Sequence, residues 1–228
     1  RKVLYEQYAD DPRAGVTALI AKYKKQEEKL AAEIARIEAM KSYVNKYRDE
    51  AFICGIDEVG RGPLAGPVVA GTVILPKDSQ ILYLNDSKKL MEKRREELYA
   101  VLMREAVAVG IGIVSPARIA EINILQATYE AMREAVRALG VVPDVLLNDA
   151  VRIPGLDVPP VPLAKGDATS VSIAAASILA KGTRDRPMIQ HAEVLPGYGI
   201  GKNKGYGSAD HIGALEDMGA TPSHSTSL

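Results

Sequence analysis

Hydrophobic spacing changes character near residue 50. Before that point Leu30, Ile34, Ile37, Met40 and Val44 recur at intervals of three and four, which sets them on one stripe of a helix, and the positions around them are rich in Lys, Glu and Ala with no glycine after Gly15. Asp11 followed by Pro12 offers an N-cap and a first-turn proline, so the pattern predicts an N-terminal helical hairpin over roughly 12–48. From Phe52 onward short apolar runs alternate with longer helical ones. Phe52–Ile56, Val68–Leu75, Ala108–Val114 and Val145–Leu147 read as strands. Helices are predicted at Lys88–Val107, from Ser115-Pro116 to Leu139 with Gly140 as the stop, over about 170–190 behind a cap at Asp167–Thr169, and from Ser208 to about 218. Strands separated by helices of this length predict an α/β layered domain with a mixed sheet over 51–228, preceded by a helical extension over 1–50.

Composition narrows the class. A chain of 228 residues can bury a substantial core, and 47% hydrophobic with 25% charged residues is the balance of a globular protein. No apolar run approaches the ~20 residues a membrane span requires. Lys plus Arg and Asp plus Glu both number 29, so any surface for an anionic partner must be local. Local clusters occur at Lys88, Lys89, Lys93, Arg94 and Arg95, at Lys181, Arg184 and Arg186, and at Lys202 with Lys204, each of which alone reads more readily as a solvated face. Cys54 has no partner for an internal disulfide and lies in an apolar run, as expected of a small hydrophobe in a reducing compartment. The first residues are charged and carry no secretory signal, and the expected location is the cytoplasm.

The segment Gly55-Ile56-Asp57-Glu58-Val59-Gly60-Arg61-Gly62-Pro63 carries the most chemistry. A strand delivers two adjacent carboxylates and breaks into a turn. Side chains alternate faces along a strand, so Asp57 and Glu58 can serve one site only if the backbone leaves strand geometry there, which Gly60 and Gly62 would allow. By itself such a pair is more often a solvated strand end than a metal site. Asp149 follows an apolar strand, where ligands of α/β proteins gather. Asp185 stands four residues after Lys181, which alone is as well read as an intrahelical ion pair. Carboxylates without Cys or His partners favour Mg²⁺ or Mn²⁺ over zinc, and His191, His211 and His224 lack zinc-binding spacing. No phosphate-binding P-loop occurs. Tyr206 between Gly205 and Gly207 is either an aromatic loop plug or a ring open to stacking on a sugar or base.

Together these segments resemble the type 2 ribonucleases H, the ribonuclease HII family. The resemblance is carried by Asp57 through Val68, Asn85-Asp86-Ser87-Lys88-Lys89-Leu90, Asn123 through Thr128, Asn148-Asp149-Ala150, Lys165-Gly166-Asp167, Ser172 through Asp185 and Lys204-Gly205-Tyr206-Gly207, in the family's order over about 52–224. It implies a ribonuclease H-like domain with a mixed central sheet flanked by helices, plus the N-terminal hairpin. It implies that Asp57, Glu58, Asp149 and Asp185 are catalytic and hold two Mg²⁺ or Mn²⁺ ions. It further implies that Gly60, Arg61 and Gly62 read a 2′-hydroxyl through their backbone and that Tyr206 stacks on the adjoining deoxyribose. Lys88, Lys165, Lys181 and Arg184 are implied by position as substrate contacts. The expected reaction is hydrolysis 5′ to a ribonucleotide in an RNA/DNA hybrid or in duplex DNA, leaving 3′-hydroxyl and 5′-phosphate ends, performed by a monomer without a membrane partner. Arg61, where type 3 ribonucleases H usually carry lysine, favours type 2 over type 3; a hybrid-binding module without turnover is the alternative of another class. The chain departs from the family at Gly182, expected to weaken its helix by about 1 kcal/mol against alanine, at Pro187, expected to disturb the same helix, at Asn203 in place of a frequent histidine, and after His224, where an arginine is usual.

Overall fold

The computed structural model describes residues 2–8, 11–149, 152–163 and 166–224. In chain order the elements are α1 (Lys2–Gln7), α2 (Ala14–Met40), α3 (Ser42–Lys46), β1 (Ile53–Val59), β2 (Val68–Ile74), α4 (Glu92–Glu105), β3 (Ala108–Val114), α5 (Pro116–Ala138), β4 (Val145–Asn148), β5 (Pro160–Pro162), α6 (Gly166–Thr169), α7 (Val171–Val194), α8 (Ile200–Asn203) and α9 (Ala209–Met218). The strands form one mixed sheet in the order β3-β2-β1-β4-β5. β2 runs antiparallel to both β1 and β3, whereas β4 is parallel to β1 and β5 to β4. β5 consists of Pro-Val-Pro, and two residues without N–H groups are tolerated there because it is an edge strand.

Alternation along β1 sorts its side chains between two helical layers. Cys54 and Ile56 pack with Ala131 and Met132 of α5, and Val59 packs with Ala180 of α7. Gly55 lies on the α7 side, where a Cβ would stand 2.2 Å from the carbonyl carbon of Ser172, so the helix rides directly on the strand backbone. The larger core joins α7, α4 and β2 with Ile37, Met40 and Val44 of the N-terminal extension. Only this end of the predicted stripe is buried, and Leu30 and Ile34 remain exposed.

The hairpin turns earlier than its sequence pattern indicates. α2 is one helix of 27 residues, and the returning arm is α1, whose Tyr5 hydroxyl donates to Glu27 Oε1 at 3.0 Å. Asp11 accepts the Arg13 N–H at 3.0 Å within the connection, and the helix starts at Ala14. The predicted helix over Lys88–Val107 divides into a 3₁₀ turn at Ser87–Lys89, capped by Asp86, and α4. α5 is kinked at Asn123 (φ 67°), whose Oδ1 accepts the N–H groups of Leu125 and Gln126 and so caps the second half. The N-cap position, expected at Asp167–Thr169, falls instead at Ser170, whose side chain makes no capping hydrogen bond, because Gly166–Thr169 forms the separate turn α6.

Neither Gly182 nor Pro187 breaks α7, which runs to Val194. A Cβ on Gly182 would lie 2.6 Å from Tyr99 Cδ2, so the missing side chain is what lets α4 approach and bring the Tyr99 hydroxyl 3.1 Å from Thr183 Oγ1. Among the described residues no helix is long and apolar enough to cross a membrane.

Candidate active site

β1 and β4 are parallel, with their last registered pair at Gly55 and Leu147. Two residues further along each chain come Asp57 and Asp149. Both share the parity of that pair, which directs them to the face covered by α7. Asp149 lies just past the end of β4, exposed, and accepts the Gly166 N–H at a long 3.5 Å. The neighbouring ends of two parallel strands thus offer two carboxylates at one sheet edge, the position α/β folds use for ligands.

Asp185 is buried near the C-terminal half of α7, and two cations hold it. Lys181 Nζ donates to Oδ1 at 2.7 Å and Arg95 Nη2 to Oδ2 at 2.9 Å. Burial draws the Lys181 ammonium below the usual lysine value, against the opposing pull of Asp185. Arg95 also donates to the carbonyls of Ser87 and Leu90, which ties the 3₁₀ turn carrying the exposed Lys88 to the same carboxylate. Glu58 stands apart. β1 keeps its regular pairing through Val59 opposite Val69, so the backbone does not leave strand geometry at the acidic pair. Alternation therefore directs Glu58 to the α5 face, where it accepts from Arg61 Nη1 at 3.1 Å. Among the described residues no group of three His, Cys, Asp or Glu side chains is arranged to hold a metal ion. The structure brings Asp57 and Asp149 to one edge and commits Glu58 and Asp185 to ion pairs.

The turn after β1 needs glycine at Gly60, which adopts φ +102° and has no room for a Cβ beside Pro67 O. Gly62 differs, with open space where its side chain would be. Arg184 fastens the turn from behind. Its guanidinium, fully buried, donates from Nε to Pro67 O at 2.9 Å, from Nη2 to Ala65 O at 2.9 Å and from Nη1 to Lys204 O at 2.8 Å. A side chain so enclosed does not reach a phosphate, and the expected substrate contact at Arg184 is replaced by a clamp. Lys165 lies outside the described residues. Tyr206 is 38% exposed beside the Asp185 end of α7, with Lys181 Nζ 5.5 Å from its ring centroid. Asn203 spans its own loop, donating to Tyr198 O and accepting from the Gly205 N–H, both at 2.8 Å.

Arg95 and the pair His211 and His224 escaped the sequence reading as parts of this region. A signal existed for Arg95, which shares a helical stripe with Leu98 and Leu102 and so occupies a core position. None existed for the histidines, which come together only through tertiary structure.

Comparison with known proteins accords with this architecture. A family model for ribonuclease HII matches residues 54–227, and one for the ribonuclease HII N-terminal domain matches 2–48. A ribonuclease HII from Lachnoclostridium phytofermentans is 61% identical over 98% of this chain and 88% of its own length. The Bacillus subtilis ribonuclease HII is 50% identical over 96% of the chain and 86% of its own length. Among solved structures, the ribonuclease HII of Archaeoglobus fulgidus, determined in complex with PCNA, superposes with a TM-score of 0.65 at 26% identity over 77% of this chain and 94% of its own. With both of its parts matched and near-full-length relatives at this identity, the chain belongs to the ribonuclease HII family and is a hydrolase of the ribonuclease H type.

Proposed function

We propose that the protein hydrolyses the phosphodiester 5′ to a ribonucleotide in an RNA/DNA hybrid or in duplex DNA containing single ribonucleotides, leaving 3′-hydroxyl and 5′-phosphate ends. The observation that supports this reading is the placement of Asp57 and Asp149, each two residues past the last registered pair of two neighbouring parallel strands, with Asp57 close before the Gly60–Gly62 turn. The donor set fits hard cations, since the carboxylates have no thiolate beside them and no histidine in ligand spacing. Asp57 and Asp149 would hold Mg²⁺ or Mn²⁺ first. Asp185 would join them by exchanging Lys181 and Arg95 for the metal, and Glu58, held on the opposite face by the regular pairing of β1, would complete a set for two ions only with a local change of backbone that also releases Arg61. Bound divalent ions at such a site activate water and stabilise charge on a departing oxygen.

The chain's own residues supply selection. Gly62 is exposed and has open space where a side chain would be, so the backbone groups around it can both donate to and accept from a 2′-hydroxyl, the atom that separates RNA from DNA. Tyr206, partly exposed, would stack on the neighbouring deoxyribose. Lys88, exposed on the turn that Arg95 ties to Asp185, would contact the phosphates, and Lys181, once released by Asp185, would add a second cation. The test is cleavage of a duplex bearing one ribonucleotide with Mg²⁺ or Mn²⁺, mapped at single-nucleotide resolution. A nick 5′ to the ribonucleotide that disappears with Asp57→Asn or Asp149→Asn is expected; an intact strand under both metals would sink the proposal.

A further inference from the structure

The segment Thr221–His224 docks on the back of the recognition turn. Ala65 forms an antiparallel bridge with His224, and Gly66 N–H donates to Ser223 O at 2.9 Å. Next to that bridge two buried imidazoles meet, with His211 Nε2 and His224 Nε2 3.1 Å apart. The tautomers follow from the groups at either end. Thr221 N–H donates to His224 Nδ1 at 3.0 Å, so that nitrogen is unprotonated and the proton of His224 lies on Nε2. At the far end His211 Nδ1 faces the Tyr206 carbonyl at 2.9 Å, and a carbonyl only accepts, so His211 carries its proton on Nδ1. His211 Nε2 is then a lone pair, and it receives the His224 Nε2–H. Every donor finds an acceptor only if both rings are neutral.

We propose that His224 and His211 are positioning residues: a one-directional chain, Thr221 N–H to His224 to His211 to Tyr206 O, sets the backbone of Tyr206 relative to the Gly60–Gly66 turn and is broken when either ring takes a second proton. This rests on the reading of Tyr206 and the turn as the ribonucleotide-recognition surface. The groups bearing on the pair are few. Tyr198 packs its ring 5.1 Å from His224 and 6.3 Å from His211, centroid to centroid, and sends its hydroxyl to Gly219 O rather than to either imidazole. Thr221 Oγ1 lies 2.9 Å from His224 Nδ1. Among the described residues neither histidine is in an ion pair with a carboxylate, so nothing there would favour a second proton. A cation on His224 would present a donor to the donor of Thr221, and a cation on His211 would face the Nε2–H of His224.

Three measurements test it. Nitrogen NMR of the unmodified protein at neutral pH should find His224 protonated at Nε2 and His211 at Nδ1; protonation of His224 at Nδ1 overturns the chain whatever the activity. The wild-type KM for a single-ribonucleotide duplex should rise as pH falls through the histidine range, around 6.5 and below. His224→Ala should raise that KM about tenfold at neutral pH, the size expected for a buried acceptor left unmatched, with a smaller effect on kcat. His224→Gln, whose amide can accept from Thr221 and donate to His211 without titrating, should restore the neutral-pH KM and reduce its pH dependence to the part owed to His211. A His224→Ala protein that melts cooperatively yet keeps the wild-type KM, or a Gln variant that keeps the wild-type pH step, overturns the proposal. Absence of any nick by the wild-type protein would instead tell against the functional reading, leaving the NMR result to judge the histidines.

Discussion

Arg95 on α4 reaches Asp185 on α7 with Nη2 2.9 Å from Oδ2, and the two side chains keep only 8% and 5% of their surface exposed. Ninety residues of sequence separate them. The pair locks the helix carrying a candidate metal-binding carboxylate to the 3₁₀ turn that displays Lys88, since Arg95 also serves two carbonyls around that turn. Its Nε has no partner among the described atoms, so the side chain is already short of one hydrogen bond.

Breaking such a pair from one side leaves a buried charge. Arg95→Leu should destabilise the fold by about 3 kcal/mol, the usual range for an orphaned buried ion, moderated by Lys181, which stays with Asp185. Urea denaturation of Arg95→Leu, Asp185→Asn and the double variant measures this. A coupling of about 1 kcal/mol or more is expected because the side chains touch; strict additivity would show that Arg95 acts through its carbonyl contacts alone.

Arg184 performs a similar service in neutral company. Its three carbonyl acceptors come from residues 65, 67 and 204, so it joins the turn after β1 to the loop bearing Tyr206. Arg184→Met keeps the volume and leaves those carbonyls unmatched, at a cost of about 3 kcal/mol. Hydrogen exchange should localise the damage: the Leu64 and Ala65 amides, which donate to Gly205 O, should exchange faster while β3 is unchanged. Uniform acceleration across the sheet would contradict a local clamp.

Much of this architecture was legible in the spacing of apolar residues. The strands at 53–59, 68–74, 108–114 and 145–148 lie where short apolar runs give way to Asp57, Pro76, Ser115-Pro116 and Asn148-Asp149, because a buried strand must be apolar and its exit must turn. Asn123 also left a trace, since Gln126 follows it by three as in a capping box, yet the apolar periodicity on both sides concealed the break. Charged side chains were legible only as sequence neighbours. Lys181 and Asp185 appeared as a pair, but whether a guanidinium faces water or a core depends on elements far away in sequence. Thus Arg95 and Arg184 read as surface cations and proved to be interior fasteners.

The two glycines of the turn should separate by experiment. Gly60→Ala forces a Cβ against Pro67 O and a left-handed φ on a residue that resists it, which should cost about 1–3 kcal/mol and displace the turn. Gly62→Ala meets no atom within 4 Å and should leave the melting temperature nearly unchanged. If the turn approaches a ribose, Gly62→Ala should still lower cleavage of a single-ribonucleotide duplex. Equal stability losses for the two variants would contradict the conformations described.

Cys54 is enclosed between β1 and α5, and burial pushes its thiol up to about 12. A thiol raised so far is protonated at pH values where a free cysteine, near 8.5, is partly thiolate. The native protein should therefore be inert to a thiol-specific reagent at mildly alkaline pH and should react once when unfolded in urea. The linkage follows: the folded state holds this proton more tightly, so the contribution to stability is complete below about 8.5 and is lost as pH rises toward the folded value. Rapid labelling of the native state would place Cys54 in a mobile or exposed position.

His224 gives the opposite slope on the acid side. Its pKa is lowered, first by burial and then by the neighbouring His211, so the folded state binds the proton less readily than the unfolded chain. Stability from this group is present above the ordinary histidine value near 6.5 and declines as pH falls through the lower folded value. The melting temperature of the wild-type protein should drop over that interval, and the drop should shrink in His224→Gln. Carboxylate protonation also destabilises proteins in acid, but it begins lower, near the ordinary Asp and Glu values of about 4. A wild-type and Gln-variant pair whose melting curves fall in parallel between about pH 6.5 and 5 would assign the loss to other groups and leave His224 without a role in acid stability.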